Sequence, residues 1–148
     1  TCSPSVSDYQ REIARAVLNA FGKEIFEEEE DYLDKATALS GTGPAYVYLF
    51  MEAMVDAGVH MGFSRRVAER LVIETLRGSV DYYDNGAEDN RHLARLRNQV
   101  TSPGGTSAEA LYYLEKAGFR TALSRAIWAA YNRSKELGQD AETRPPEN

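Results

Sequence analysis

The sequence predicts an all-α domain of about six helices with at most one short strand, and three observations carry that reading. Apolar residues recur at three- and four-residue spacing along most of the chain; glycine and proline interrupt them at helix-sized intervals; and only Lys23-Glu24-Ile25-Phe26 has the look of a strand. The first helix carries Tyr9, Ile13, Ala16, Val17, Ala20 and Phe21 on one side, with Ser7 or Asp8 as its N-cap and Gly22 placed to stop it. The acidic run Glu27 to Asp31 then reads as a solvated face or the start of a helix, where the macrodipole favours carboxylates.

From Pro44 to Met61 the chain is apolar almost all round, broken by Glu52 and Asp56, which predicts a central helix surrounded by others. Gly43-Pro44 suits its first turn and Gly62 its end. Ser64 caps the next helix, in which Ala68, Val72, Thr75, Leu76, Ser79, Val80 and Tyr83 share a face up to Asn85-Gly86. Leu93, Leu96 and Val100 mark a shorter helix, cut by Pro103-Gly104-Gly105. Another carries Ala108, Leu111 and Tyr112 as far as Gly118. The last places Phe119, Leu123, Ala126, Ile127, Ala130, Tyr131 and Ser134 together and is expected to stop at Gly138, leaving residues 139–148 as a flexible tail.

At 148 residues the chain is expected to bury roughly two-thirds of its unfolded surface in a core of its own. One cysteine, Cys2, and two histidines exclude a disulfide scaffold and offer no metal site. A net charge of −6 argues against nucleic acid held by bulk phosphate neutralisation, so the partner is a small molecule or a protein. The apolar run from Ala45 to Met51 is far shorter than the ~18 residues of a membrane span, and no signal pattern follows Thr1. The expected compartment is the cytoplasm or an organelle matrix. Trp128, Tyr46, Tyr48, Tyr112 and Tyr113 are more aromatic surface than so small a core needs, which predicts a homodimer or a related helical partner.

Several motifs carry no chemistry. Gly41-Thr42-Gly43-Pro44-Ala45-Tyr46 starts like a dinucleotide fingerprint, but Tyr46 takes the third glycine position and no parallel strand precedes it. Residues 81–92 lack the calcium-loop carboxylate at their twelfth position, which is His92. His60 and His92 read as structural or solvent-facing. The segment Gln99-Val100-Thr101-Ser102-Pro103-Gly104-Gly105-Thr106-Ser107 is different: two glycines let amides approach a ligand, while hydroxyls and the free amides of the next helix converge. It reads as a cradle for a small carboxylate. The plain alternative is a turn in which Ser102 or Thr106 caps the helix.

This segment, with Ala38-Leu39-Ser40-Gly41-Thr42-Gly43-Pro44-Ala45-Tyr46, resembles the C-terminal domain of pyrroline-5-carboxylate reductases. Glu52-Ala53-Met54-Val55-Asp56-Ala57-Gly58-Val59, Met61-Gly62-Phe63, Gly118-Phe119-Arg120 and Ser134-Lys135-Glu136-Leu137 extend the likeness over about residues 34–138. The resemblance implies a helical domain that dimerises by interleaving, facing an N-terminal Rossmann domain that binds NADPH or NADH. Residues 1–26 would be the last helix and strand of that missing domain, and 27–138 the dimerisation and substrate-binding domain. It implies hydride transfer to pyrroline-5-carboxylate, yielding proline. Ser102, Gly104, Gly105, Thr106 and Ser107 would line the substrate carboxylate, with the Ser107 hydroxyl as the catalytic contact to the ring nitrogen and Gln99 near the cofactor. The family usually has Thr at Ser107 and an acidic residue at Asn98.

The resulting expectation is one half of a proline-synthesising reductase that, as isolated, binds no cofactor and catalyses nothing. The alternative is a stand-alone relative serving as a non-catalytic dimerising or scaffolding subunit.

Overall fold

The computed structural model describes residues 1–86 and 92–143, with side chains to residue 139. Among them are seven α-helices and one π-helical turn, and no strand. The all-α reading is therefore correct. The expected strand at residues 23–26 is irregular backbone instead. A lone strand has no ladder to satisfy it, and here local bonds take over: the Glu24 amide donates to Asn19 Oδ1 at 3.2 Å and Arg15 Nε to Glu24 Oε1 at 2.6 Å.

The chain divides into two compact units. The first comprises Thr1–Thr42 with Ile127–Asn148. Helix α1, Asp8–Asn19, opens on a capping box: the Ser7 hydroxyl accepts from the Gln10 amide while the Gln10 side chain accepts from the Ser7 amide. Helix α2, Tyr32–Ala36, runs into a π-helical turn at Thr37–Gly41, closed by Thr42, whose amide and hydroxyl both donate to the Thr37 carbonyl at 2.8 and 3.0 Å. Ala38, on this turn, is buried.

The same unit contains the rear of α7, Phe119–Thr143. Half-buried Ser134 donates to Asp34 Oδ1 at 2.5 Å, tying α7 to α2 across 100 residues of sequence. A hydrogen bond to a carboxylate contributes about 1.5–3 kcal/mol, so Ser134→Ala is expected to lower stability by about 1.5 kcal/mol, read as a shifted urea midpoint at constant slope. Helix α7 continues through Gly138 to Thr143, beyond the predicted stop. An interior glycine costs a helix only ~1 kcal/mol, and Gly138 does not take the positive φ that would end it. The remainder of the expected flexible tail, 144–148, lies outside the described residues.

The second unit is Gly43–Ala126. It holds α3, Gly43–His60, and α4, Arg65–Asp84, the latter capped by Ser64. Gly62 supplies the positive φ of +104° at the turn between them. Val55, Ala68 and Val72 form the core where α3 and α4 cross, flanked by Met51, Met54, Val59 and Leu76. Gly58 sits directly against Ala68: a Cβ there would lie 3.0 Å from Ala68 Cβ. Gly58→Val is accordingly expected to spread the two helices and cost ~1–3 kcal/mol, measurable by chemical denaturation. Helix α5, Leu93–Gln99, and α6, Thr106–Lys116, complete the unit with the start of α7. Phe50 of α3 meets Phe119 of α7 at 6.2 Å between ring centres.

The expected self-contained core is not what forms. Among the described residues only Ala38, Val55, Ala68 and Val72 are buried hydrophobics. The substantial helix contacts are those of α3 with α4 and of α2 with the π turn. Tyr48, Leu49, Leu93, Val100, Tyr113 and Trp128 all remain 60 % or more exposed. The apolar residues predicted by periodicity are present on the helices, but a single chain does not cover them.

Candidate carboxylate cradle

The predicted site is one continuous path from the end of α5 to the first turn of α6. Its centre is a β-turn dictated by composition: Pro103 presets the second position, Gly104 takes φ +68° at the third, and the Gly105 amide donates to the Ser102 carbonyl at 3.1 Å. These are the features of a type II turn, which needs a residue tolerant of positive φ where Gly104 stands. Gly105 meets a different constraint. A Cβ on it would fall 2.4 Å from Ser102 Oγ and 3.2 Å from the Ser102 carbonyl oxygen, so the turn as it stands, with the Ser102 hydroxyl over Gly105, needs a bare Cα there.

Gly105 is also the N-cap of α6, with extended backbone (φ −83°, ψ 171°), and no side chain caps this helix. The alternative in which Ser102 or Thr106 caps it is not what forms. Thr106 and Ser107 occupy the first turn, whose amides have no partner inside an α-helix. Ser107 is half-buried; Ser102, Gly104 and Thr106 are exposed, and Gln99, the last residue of α5, is exposed as well. The structure thus brings all six predicted residues onto one short path. Uncapped amides, the positive end of the helix dipole and hydroxyls together suit an anion. One amide of the predicted set, that of Gly105, is engaged within the turn rather than offered outward.

Two further interactions shape the approach to the turn. Arg97 donates from Nε and Nη2 to Asn98 Oδ1 at 3.3 and 3.0 Å, so the neutral Asn98 side chain has a cationic neighbour. Thr101 donates from Oγ1 to the Arg97 carbonyl at 2.7 Å, and from its amide to the Asn98 carbonyl at 3.1 Å. Thr101 lies within the predicted segment but outside its predicted site residues, and its hydroxyl turns inward. The available signal was a threonine four residues after a helical carbonyl, a recurrent back-bonding position.

His92, read from the sequence as structural or solvent-facing, is exposed and caps α5, its Nδ1 accepting from the Arg95 amide at 3.4 Å. The calcium-like stretch includes residues 87–91, which lie outside the described residues. Among those described, no cluster of His, Cys, Asp and Glu could hold a metal, and no helix is long and apolar enough to cross a membrane. A separate open cleft of about 500 Å³ between α3 and α4 is lined by Tyr48, Leu49, Glu52, Arg65 and Glu69 and shares no residue with the turn. Arg65 there is held above its ordinary pKa by its hydrogen bond and charge pairing with Asp56 at 2.8 Å.

The Gly41–Gly43 segment does not form a strand-to-helix dinucleotide turn. Gly41, Thr42 and Gly43 lie where a π turn meets α3, with no strand before them, so they cannot present pyrophosphate-binding amides at a strand-to-helix turn.

Comparison with known proteins places the chain. The family described as "Pyrroline-5-carboxylate reductase dimerisation" matches residues 30–137. Pyrroline-5-carboxylate reductase of Synechocystis sp. is 42% identical over 126 residues, which cover 85% of this chain and 46% of that protein. The enzyme of Mycobacterium tuberculosis is also 42% identical, over 146 residues, covering 89% of this chain and 49% of its own length. Among solved structures, Plasmodium falciparum pyrroline carboxylate reductase with NADP bound superposes with a TM-score of 0.83 at 38% identity, covering 92% of this chain and 50% of that one. The Streptococcus pyogenes enzyme superposes at 0.85 with 31% identity, covering 92% and 51%. The chain thus spans about half the length of the relatives it matches. On the strength of the matched segment, it belongs to the pyrroline-5-carboxylate reductase family and carries that family's dimerisation domain.

Proposed function

We propose that this chain is the dimerising, substrate-holding half of a reductase that converts pyrroline-5-carboxylate to proline with NADPH or NADH. The observation that carries the reading is the uncapped N-terminus of α6 behind the Ser102–Gly105 turn, which suits a small carboxylate without needing an arginine. In this reading the amides of Thr106 and Ser107 grip the carboxylate, with the hydroxyl of Ser102 beside them. The Ser107 hydroxyl meets the ring nitrogen, and Gln99 lies toward the cofactor. Charge-assisted bonds of this kind contribute ~1.5–3 kcal/mol each, and the helix terminus up to ~2 kcal/mol when partly buried. Ser107 keeps the hydroxyl of the family's usual threonine but not its stiff χ1, so the grip is looser than a threonine would make it.

The nicotinamide, when bound, supplies the hydride, and its binding belongs to a Rossmann domain outside this helical segment. Residues 1–26 are then the closing part of that domain, and 27–138 the domain that dimerises. The partner is a second copy of the chain: the exposed apolar faces of α3, α5, α6 and α7 are the surface that an interleaved homodimer covers.

The test is an assay of pyrroline-5-carboxylate reduction by the intact protein, read by NADPH oxidation, beside the 148-residue chain alone. Activity in the intact protein, none in the separate chain, and proline binding that depends on Gly105 are the expected outcomes. An intact protein that forms the dimer yet neither binds proline nor oxidises NADPH would instead identify a scaffolding subunit.

A further inference from the structure

Resting on the carboxylate reading above, we infer that Thr101 is a positioning residue for the substrate, holding the Ser102–Ser107 turn at the correct angle to α5 without touching the ligand. Three bonds in series make the connection. Both hydrogen-bond donors of Thr101 point backward, its hydroxyl to the Arg97 carbonyl at 2.7 Å and its amide to the Asn98 carbonyl at 3.1 Å. The next residue, Ser102, accepts from the Gly105 amide at 3.1 Å, and Gly105 begins α6. The end of α5 and the start of α6 are thereby joined through one short clamp whose first link is a side chain.

The placement of that side chain is informative. Val100, the C-cap of α5, has already left helical geometry (φ −95°, ψ 8°), so the helix ladder no longer directs the chain at Thr101. The Thr101 hydroxyl takes over the role, at a part-buried position, while Ser102 and Pro103 beyond it are exposed. Proline and the positive φ of Gly104 set the type of the turn but say nothing of where it points. Its direction relative to Gln99 is set at Thr101. A shift of about 1 Å in such a cradle costs binding through misaligned hydrogen bonds, because their strength falls steeply with angle.

The test compares wild type, Thr101→Val and Thr101→Ser in the intact protein, with proline as the titrated ligand and pyrroline-5-carboxylate as the substrate. Valine keeps the shape and removes the hydroxyl; serine restores the hydroxyl alone. Thr101→Val is expected to raise Kd for proline and KM roughly three- to tenfold, as for one lost hydrogen bond, with kcat changed by less than twofold. Thr101→Ser is expected to lie within about twofold of wild type. Equal Kd and KM in wild type and Thr101→Val overturn the inference, as does a Thr101→Ser that binds as poorly as the valine variant. A loss of thermal stability with unchanged KM assigns Thr101 a structural role only and likewise overturns it. If Thr101→Val does not fold, Thr101→Ala read against Thr101→Ser by the same titrations decides the point. A wild type that does not bind proline defeats the carboxylate reading and this inference with it; equal affinities among folded variants defeat this inference alone.

Discussion

Gly105→Val is expected to weaken proline binding by roughly 100-fold or more while lowering the protein's unfolding free energy by less than about 1 kcal/mol. The asymmetry follows from where the new atoms would go. A Cβ at Gly105 would lie 2.4 Å from Ser102 Oγ and 3.2 Å from the Ser102 carbonyl, so the Ser102 hydroxyl must rotate aside and its carbonyl shift by a few tenths of an ångström, and the branched valine side chain strains the bond that closes the turn. The amides of Thr106 and Ser107 then turn with it. Losing two charge-assisted bonds of ~1.5–3 kcal/mol each corresponds to two decades or more of affinity. The turn is nevertheless largely exposed and contributes no residue to the Val55, Ala68 and Val72 core, so global stability has little at stake. Isothermal titration with proline, paired with urea denaturation, separates the effects. Undiminished affinity would remove the turn from the site.

The second large effect is expected at Leu49. This residue is 68% exposed on α3, beside the equally exposed Tyr48, on a helix that is apolar almost throughout. If a second copy covers that face, Leu49→Asp places a carboxylate in each half of the contact, and twofold symmetry counts the penalty twice. Burial of an unpaired carboxylate costs several kcal/mol, so the dimer dissociation constant is expected to rise by ~10³ or more, giving monomer at micromolar concentration. Because so few residues are buried within one chain, the dissociated protein should also unfold at lower denaturant and with a concentration-independent midpoint. Size-exclusion chromatography with light scattering reads the mass directly. A variant that remains dimeric at wild-type strength would show that α3 is not the surface covered.

The same two regions mark what was legible in the primary structure. Ser64, and Ser7 of the pair Ser7 or Asp8, cap two helix starts as expected, because a cap is a contact among residues three apart. Gly62, Gly104 and Gly118 all take positive φ at the breaks where they were expected to end or interrupt helices. Gly138 shows the limit of that rule: glycine permits a helix to end but does not oblige it, and α7 runs on. Residues 23–26 show another, since a strand pattern is only a capacity to pair and no neighbouring strand answers it among the described residues.

The path Gln99 to Ser107 was identified from composition alone, because Pro-Gly-Gly before a helix start restricts the backbone whatever surrounds it. Its internal bonding was not. Whether Ser102 would cap α6 or lean over Gly105, and whether Thr101 would face the ligand or its own helix, are choices of a few kcal/mol among local partners. Spacing leaves such choices open, whereas atomic positions decide them.

By itself the amino-acid order determined that this protein is helical, where most helices begin and end, and that a glycine-loosened turn feeds α6, since each of these is decided within a few residues along the chain. Tertiary structure alone decided that the turn leaves α6 uncapped, that Ser134 reaches Asp34, and that most apolar faces find no cover within one chain. The reason is that burial and hydrogen-bond satisfaction are sums over neighbours distant in sequence; periodicity can say that a face must be covered but not by what.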